Sequence, residues 1–355
     1  MKPLYITAVV TFSGKTALAL GIGLKLQEAG RKVGYFKPVS SQPYLVDGKL
    51  VDEDAEFVRR TLQLNIPSHE LSPVIVDETL LTSIIEERNT RDFAKEIRDA
   101  YAHLSQNNDV MLVEGGGSMR EGYAVGLPTV EMAQLLDLPT LGVVRYRDGL
   151  KLLDDVLALK SRVEDRVLGV VINAVPSDAF ELVKNKVAPY LEKQGIKVYG
   201  VLPHQPALMS ISVAELIAIT NARVLTTTAH TDKLVENLSV GAMSVEAALP
   251  RFRRVLNKAV ITGGDRADIQ AAALETSTSA LILTGNLQPS STIIQRAEEA
   301  NVPVLMVSGS TIDTIEIVEQ VFGKTRLASP EKLAHFLRTI DQHLDTARLF
   351  ADLGV

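Results

Sequence analysis

The sequence predicts an α/β fold. A parallel sheet with helices on both faces and a phosphate-binding loop comes first, then a smaller α/β domain and a C-terminal amphipathic helix. Three observations predict it. Short apolar runs rich in β-branched residues alternate with segments of helical spacing, the pattern of βαβ units. The connections between them are short, which favours strands that neighbour one another in a single sheet. The first strand passes through a turn into Gly14, Lys15 and Thr16 and straight into a helix, the context that a phosphate loop requires. At 355 residues the chain exceeds one typical domain, so two are expected.

Residues 4–10 read as a buried strand, 11–14 as a turn and 17–29 as a helix that Gly30 stops. Backbone N–H groups at that helix start would point at a phosphate, and the helix dipole would favour its charge. Lys15 would reach the terminal phosphates and the Thr16 hydroxyl would hold Mg²⁺. The common loop pattern places a glycine five positions before Gly14, where this chain has Val9. Residues 32–36 read as a second strand ending at Lys37 and Pro38, on the edge where open α/β sheets bind ligands. A helix over 51–60 opens with Asp52, Glu53 and Asp54. Acids in a first turn answer the helix dipole, and that suffices for Asp52 and Glu53, whereas Asp54 is read as a metal ligand. A long helical pattern over 79–104, with a break near Asn89, precedes a buried strand at 110–113. Glu114 and the glycines 115–117 follow at once, so a carboxylate can stand beside a magnesium–phosphate site with close backbone approach.

Helix and strand then alternate through 130–136, 139–144, 150–162, 167–173, 180–194 and 197–202. The break at Pro203 to Pro206 places a domain boundary near 210. Domains are expected at 1–210 and 211–327, with a helix at 328–355. In the second, 213–219 reads as a helix, 222–227 as a strand, 233–239 as a polar turn or short helix and 245–252 as a helix. A strand at 259–262 runs into Gly263, Gly264, Asp265 and Arg266. Helix, strand, helix, strand and helix follow at 267–275, 280–284, 292–300, 304–307 and 311–322. Residues 330–353 carry one apolar stripe at Leu333, Phe336, Leu337, Ile340 and Leu344, which packs either on its own chain or on another subunit.

Composition excludes several functions. The formal charge of −6 argues against a general nucleic-acid or membrane-surface binder. The lack of cysteine removes disulfides, thiolate metal sites and cysteine nucleophiles. The six histidines are scattered without metal spacing. There is no signal-peptide pattern and no apolar run of spanning length, so a cytoplasmic protein is expected.

Residues 4 to about 206 resemble the dethiobiotin synthetase family of P-loop proteins. The resemblance is carried by Thr11 to Thr16, Gly34 to Val39, Asp54, Val113 to Gly117, Asn173 to Pro176 and Gly200 to Pro203, in the family's order. It implies ATP and Mg²⁺ as cofactors, with phosphoryl transfer from ATP to a small carboxylate-type acceptor, or ATP hydrolysis. By motif, Thr11, Ser13, Gly14, Lys15, Thr16 and Ala17 would hold phosphates and Asn173 would meet the adenine. Thr16, Asp54 and Glu114 would surround Mg²⁺, and Lys37 would act with Lys15 in catalysis, neutralising charge at the γ-phosphate or the substrate acid. The family's loop opens with Gly and carries Asp before the equivalent of Thr11, where this chain has Ala8 and Val10.

Residues 213–326 resemble the DRTGG domain, through Thr262 to Arg266, Leu283 to Asn286 and Val302 to Leu305. That domain looks regulatory in its relatives, which implies a nucleotide-sensing role as the alternative to catalysis. The order of the two domains looks like the amino-terminal half of long phosphotransacetylases and like free-standing proteins of that build. Because the sequence stops at Val355, the expectation is an ATP-dependent ligase or ATPase that is not a phosphotransacetylase, forming a homo-oligomer.

Overall fold

The computed structural model describes residues 1–322, 327 and 330–355; the expected boundary between 327 and 328 falls at the edge of this set. Contacts divide the chain into two units, Met1–His204 together with Leu327–Val355, and Gln205–Arg326.

The first unit is built on six strands: β1 (Lys2–Thr7), β2 (Val33–Phe36), β3 (Val110–Glu114), β4 (Thr140–Arg145), β5 (Val167–Val175) and β6 (Val198–Pro203), in the order β6-β5-β4-β1-β3-β2. All neighbouring pairs are parallel. Buried on both faces, these strands read as continuous apolar runs rather than alternating ones. Every carboxyl end therefore lies on one edge, and β1 stands within the sheet with β3 on one side and β4 on the other. β1 ends at Thr7, earlier than expected, which leaves residues 8–14 as the loop to α1 (Lys15–Glu28).

Two features depart from the sequence reading, and the break expected near Asn89 is present. Residues 43–52 form a hairpin, Pro43–Val46 against Lys49–Asp52. Asp47 and Gly48 at its tip have φ of 49° and 76°, the left-handed pair that a tight two-residue turn requires. The helical pattern over 79–104 is two helices, Glu78–Ile85 and Phe93–Leu104, each with an aspartate accepting from its first turn, Asp77 and Asp92. The C-terminal segment is two helices rather than one, Pro330–His343 and Thr346–Leu353, and both belong to the first unit. A Cβ on Gly21 of α1 would stand 3.0 Å from Phe336 and 3.2 Å from Ile340, so that glycine lets the returning helix approach closely.

The main sheet of the second unit has five strands, β7 (Arg223–Val224), β8 (Asn237–Val240), β9 (Lys258–Gly263), β10 (Thr278–Thr284) and β11 (Val304–Met306), in the order β7-β11-β10-β9-β8. Ala259 and Ile261 pack with Val213, Leu216 and Val318 on one face. Val260 packs with Phe252, Ile269 and Ile293 on the other, the period of two that a covered sheet imposes. β8 falls where a turn or short helix was expected. It is a half-exposed edge strand, and its pairing with β9, not an apolar run of its own, makes it a strand.

Candidate nucleotide site on the first crossover

Gly14 caps α1 with φ of +92° and no side chain. A Cβ there would meet the Asn173 amide nitrogen at 2.5 Å, so both conformation and space demand glycine. The first bond closing α1 runs from Leu18 N to Gly14 O. The amides of Lys15, Thr16 and Ala17 therefore lack an intrahelical acceptor. Ser13 is buried, and its hydroxyl finds no partner. Thr11 is exposed in the loop.

Buried charge converges on this helix start from three strands. The Thr16 hydroxyl donates to Glu114 Oε1 at 2.7 Å, and the Tyr35 hydroxyl donates to Glu114 Oε2 at 2.7 Å. Lys15 Nζ donates to the Gly117 carbonyl at 2.7 Å. Lys37, just past β2, donates to Asp52 Oδ1 and Asp54 Oδ2, each at 2.9 Å. A parallel sheet brings residues 15, 37, 54 and 114 to one edge, because each lies at or beyond the carboxyl end of β1, β2 or β3. Burial pushes the Lys15 ammonium down from its ordinary pKa, against the pull of Glu114. Burial also pushes the Glu114 carboxyl up, against Lys37 and Lys15. For Lys37, burial works downward, but Asp54 and Asp52 outweigh it and hold the ammonium above the usual lysine range.

The sequence reading missed three participants. Asp52 is fully buried; it accepts from Lys37, Ser40 and the Ala55 amide, so it does more than answer a helix dipole. The Asp47–Gly48 turn was the available signal, since it fixes the hairpin whose last residue is Asp52. Tyr35 holds the second oxygen of Glu114. Glu121 accepts from the Gly117 amide at 2.7 Å, a contact that a Cβ on Gly117 would block at 2.1 Å from Glu121 Oε1. Asn173, expected to meet adenine, donates to the Ser13 carbonyl at 2.8 Å and accepts from the Ala174 amide. Its amide braces the loop. A cavity of about 230 Å³ opens past the end of β3, between Tyr5, Ser41, Gly115, Gly116, Arg120 and Thr129.

Arg266 of the second glycine turn is differently placed. It forms a two-pronged pair with Asp268 at 3.0 and 3.1 Å and donates to the Met243 carbonyl. A Cβ on Gly264 would lie 2.1 Å from the Leu287 carbonyl, so that glycine is required by loop packing.

A family model described as AAA domain matches residues 2–212, and one described as DRTGG domain matches residues 215–321. The ATP-dependent dethiobiotin synthetase BioD of Methanococcus vannielii is 32% identical over 182 residues, 48% of this chain and 79% of that protein. Phosphate acetyltransferase of Pseudomonas putida is 26% identical over 359 residues, 96% of this chain and 50% of that protein. That of Nitratidesulfovibrio vulgaris is 25% identical over 367 residues, 98% of this chain and 51% of that protein. The chain spans about half the length of these phosphate acetyltransferases. They correct one expectation. Six relatives at 23–26% identity over nearly the whole chain carry the phosphate acetyltransferase name, against the reading of a ligase or ATPase that is not a phosphotransacetylase. That reading rested on where the sequence stops, which carries no chemistry, whereas the residues align almost throughout.

Proposed function

Because the chain belongs to the AAA-domain P-loop family that includes dethiobiotin synthetase BioD, and carries a DRTGG domain after it, we propose a nucleotide-responsive regulatory region serving phosphate acetyltransferase chemistry. In this reading ATP with Mg²⁺ occupies the first crossover, and its occupancy is the signal. The observation that carries it is the convergence of Lys15, Thr16, Lys37, Asp54 and Glu114 on one helix start. The donor set fits magnesium: two carboxylates and a hydroxyl are hard oxygens, and Mg²⁺ is held by one or two carboxylates with phosphate oxygens and water. Thr16, Glu114 and Asp54 would hold it, and when bound it would neutralise phosphate charge. The free amides of α1 and the Lys15 ammonium would then orient the phosphates, while Lys37, poised between two acids, would sense the terminal one.

Titration calorimetry with ATP, with and without Mg²⁺, tests the proposal. Tight binding that needs Mg²⁺, is lost in Lys15→Ala and releases no phosphate is the expected result. Light scattering on the same samples reads whether the chain is a homo-oligomer and whether ATP changes its size. Absence of ATP binding by the unmodified chain overturns the reading. Steady phosphate release abolished by Lys15→Ala would instead favour ATP hydrolysis, with water taking the phosphoryl group.

A further inference from the structure

The phosphate loop is flanked unequally. On its β3 and β2 side stand Glu114, Asp52 and Asp54, each engaged with a hydroxyl or a lysine. On its β4, β5 and β6 side stand Arg145, Asn173 and His204. Arg145 is the last residue of β4 and half-buried, and among the described residues its guanidinium donates only to the Phe12 carbonyl, at 3.5 Å. No carboxylate lies within ion-pair distance of it among the described residues, and residues 11–14 bring none. Burial pushes the Arg145 guanidinium down from the ordinary arginine range, with no acid offsetting it. His204, fixed just past β6 by its amide donating to the Val175 carbonyl, is pushed down by burial and by the charge of Arg145. Arg145 is thus held against the loop at Phe12, and His204 stands near enough to feel its charge.

A partly desolvated guanidinium without a counter-ion is costly unless a ligand supplies the anion. Its planar fork suits a phosphate. We propose that Arg145 is a nucleotide-binding residue that grips the phosphate nearest the base. The direction follows from charge. The acids that could hold a metal lie on the β3 and β2 side, so the terminal phosphates belong there. The base-proximal phosphate then faces the β4 side, where Arg145 meets the loop without an ion-pair partner among the described residues. This rests on the nucleotide reading above, and the test separates the two.

Affinities of the full chain for ATP, ADP, AMP and adenosine are compared with those of Arg145→Gln and Arg145→Lys by calorimetry, with AMP and adenosine measured by competition. Arg145→Gln is expected to weaken ATP, ADP and AMP alike by about tenfold, the scale of one lost charge-assisted hydrogen bond, and to leave adenosine unchanged. Arg145→Lys is expected to recover part of the loss. Unchanged ATP, ADP and AMP affinities in Arg145→Gln overturn the assignment while leaving the nucleotide site standing. An equal loss for adenosine also overturns it, since the contact would then be with the nucleoside. If the unmodified chain binds none of the four, both this inference and the nucleotide reading fall.

Discussion

Two lysines, one in each unit, have little exposed surface and are pushed in opposite directions. Lys37 is 5% exposed and Lys258 fully buried. Lys37 sits between Asp52 and Asp54 and is held above the usual range. Lys258 donates to the Val255 carbonyl at 3.1 Å, the Thr276 hydroxyl at 2.9 Å and the Ser277 carbonyl at 2.8 Å. With no acid to oppose burial, it is pushed down to about 8. Burial alone disfavours the charged form; only opposite charge reverses the sign. Lys258 pins the start of β9 to the segments around it. Lys37 belongs to an arrangement in which charges from separate crossovers balance one another, and that is what distinguishes a site from a staple.

Removing each cation breaks the comparison most directly. Lys37→Met takes away the cation that a buried carboxylate, Asp52, and a half-buried one, Asp54, share. Breaking a buried ion pair from one side costs about 3–5 kcal/mol, so urea unfolding of the first unit should shift by that order and ATP binding should fall with it. Lys258→Met leaves two carbonyls and a hydroxyl short of a donor, about 1–3 kcal/mol, confined to the second unit and without effect on ATP. Equal losses from the two variants would mean that the acids around Lys37 add nothing beyond hydrogen bonds.

The two glycine turns sharpen the same contrast at smaller size. Gly14→Ala forces a left-handed residue at a cost of about 1–2 kcal/mol and pushes on the Asn173 amide, 2.5 Å from the new Cβ. Because that amide braces the phosphate loop, ATP affinity should drop about tenfold with a modest loss of stability. Gly264→Ala meets the Leu287 backbone at 2.1 Å and should cost about 1–3 kcal/mol by overpacking, leaving ATP affinity unchanged. Weaker ATP binding in Gly264→Ala, measured by calorimetry, would contradict the packing role given to that turn.

How much of this was legible in the sequence depended on range. The strand–turn–helix at 4–29, Glu114 before its glycines and Lys37 at a strand end could be read locally, and a parallel sheet then brings them to one edge. Asp52 could not be placed that way. Its burial depends on the hairpin over 43–52, whose outer residues Tyr44 and Leu45 are exposed and give no periodic signal. The Gly117–Glu121 contact is a backbone event that residue identity does not announce. β8 was missed because an edge strand draws its order from its neighbour. Arg266 misled in the opposite sense: a glycine turn with an arginine looks like an anion site until Asp268 and the Met243 carbonyl are seen to hold it.

The two lysines also impose a pH dependence. A lysine pushed down to about 8 in the folded chain is protonated in both states below that value, so its desolvation cost is present in full there. Between about 8 and the ordinary value of 10.5, the unfolded chain binds more protons than the folded one, and stability rises with pH. Lys37 behaves in the reverse way. Its raised pKa means that its contribution is complete below 10.5 and is lost only as pH climbs through the folded value, so it adds no slope in that window. The difference in unfolding free energy between the unmodified chain and Lys258→Met should therefore be flat below pH 8 and increase toward 10.5. Hydrogen exchange along β9 localises the effect to the second unit. A flat difference across the whole range would show that three neutral acceptors solvate the Lys258 ammonium as well as water does, and the contrast with Lys37 would then rest on geometry alone.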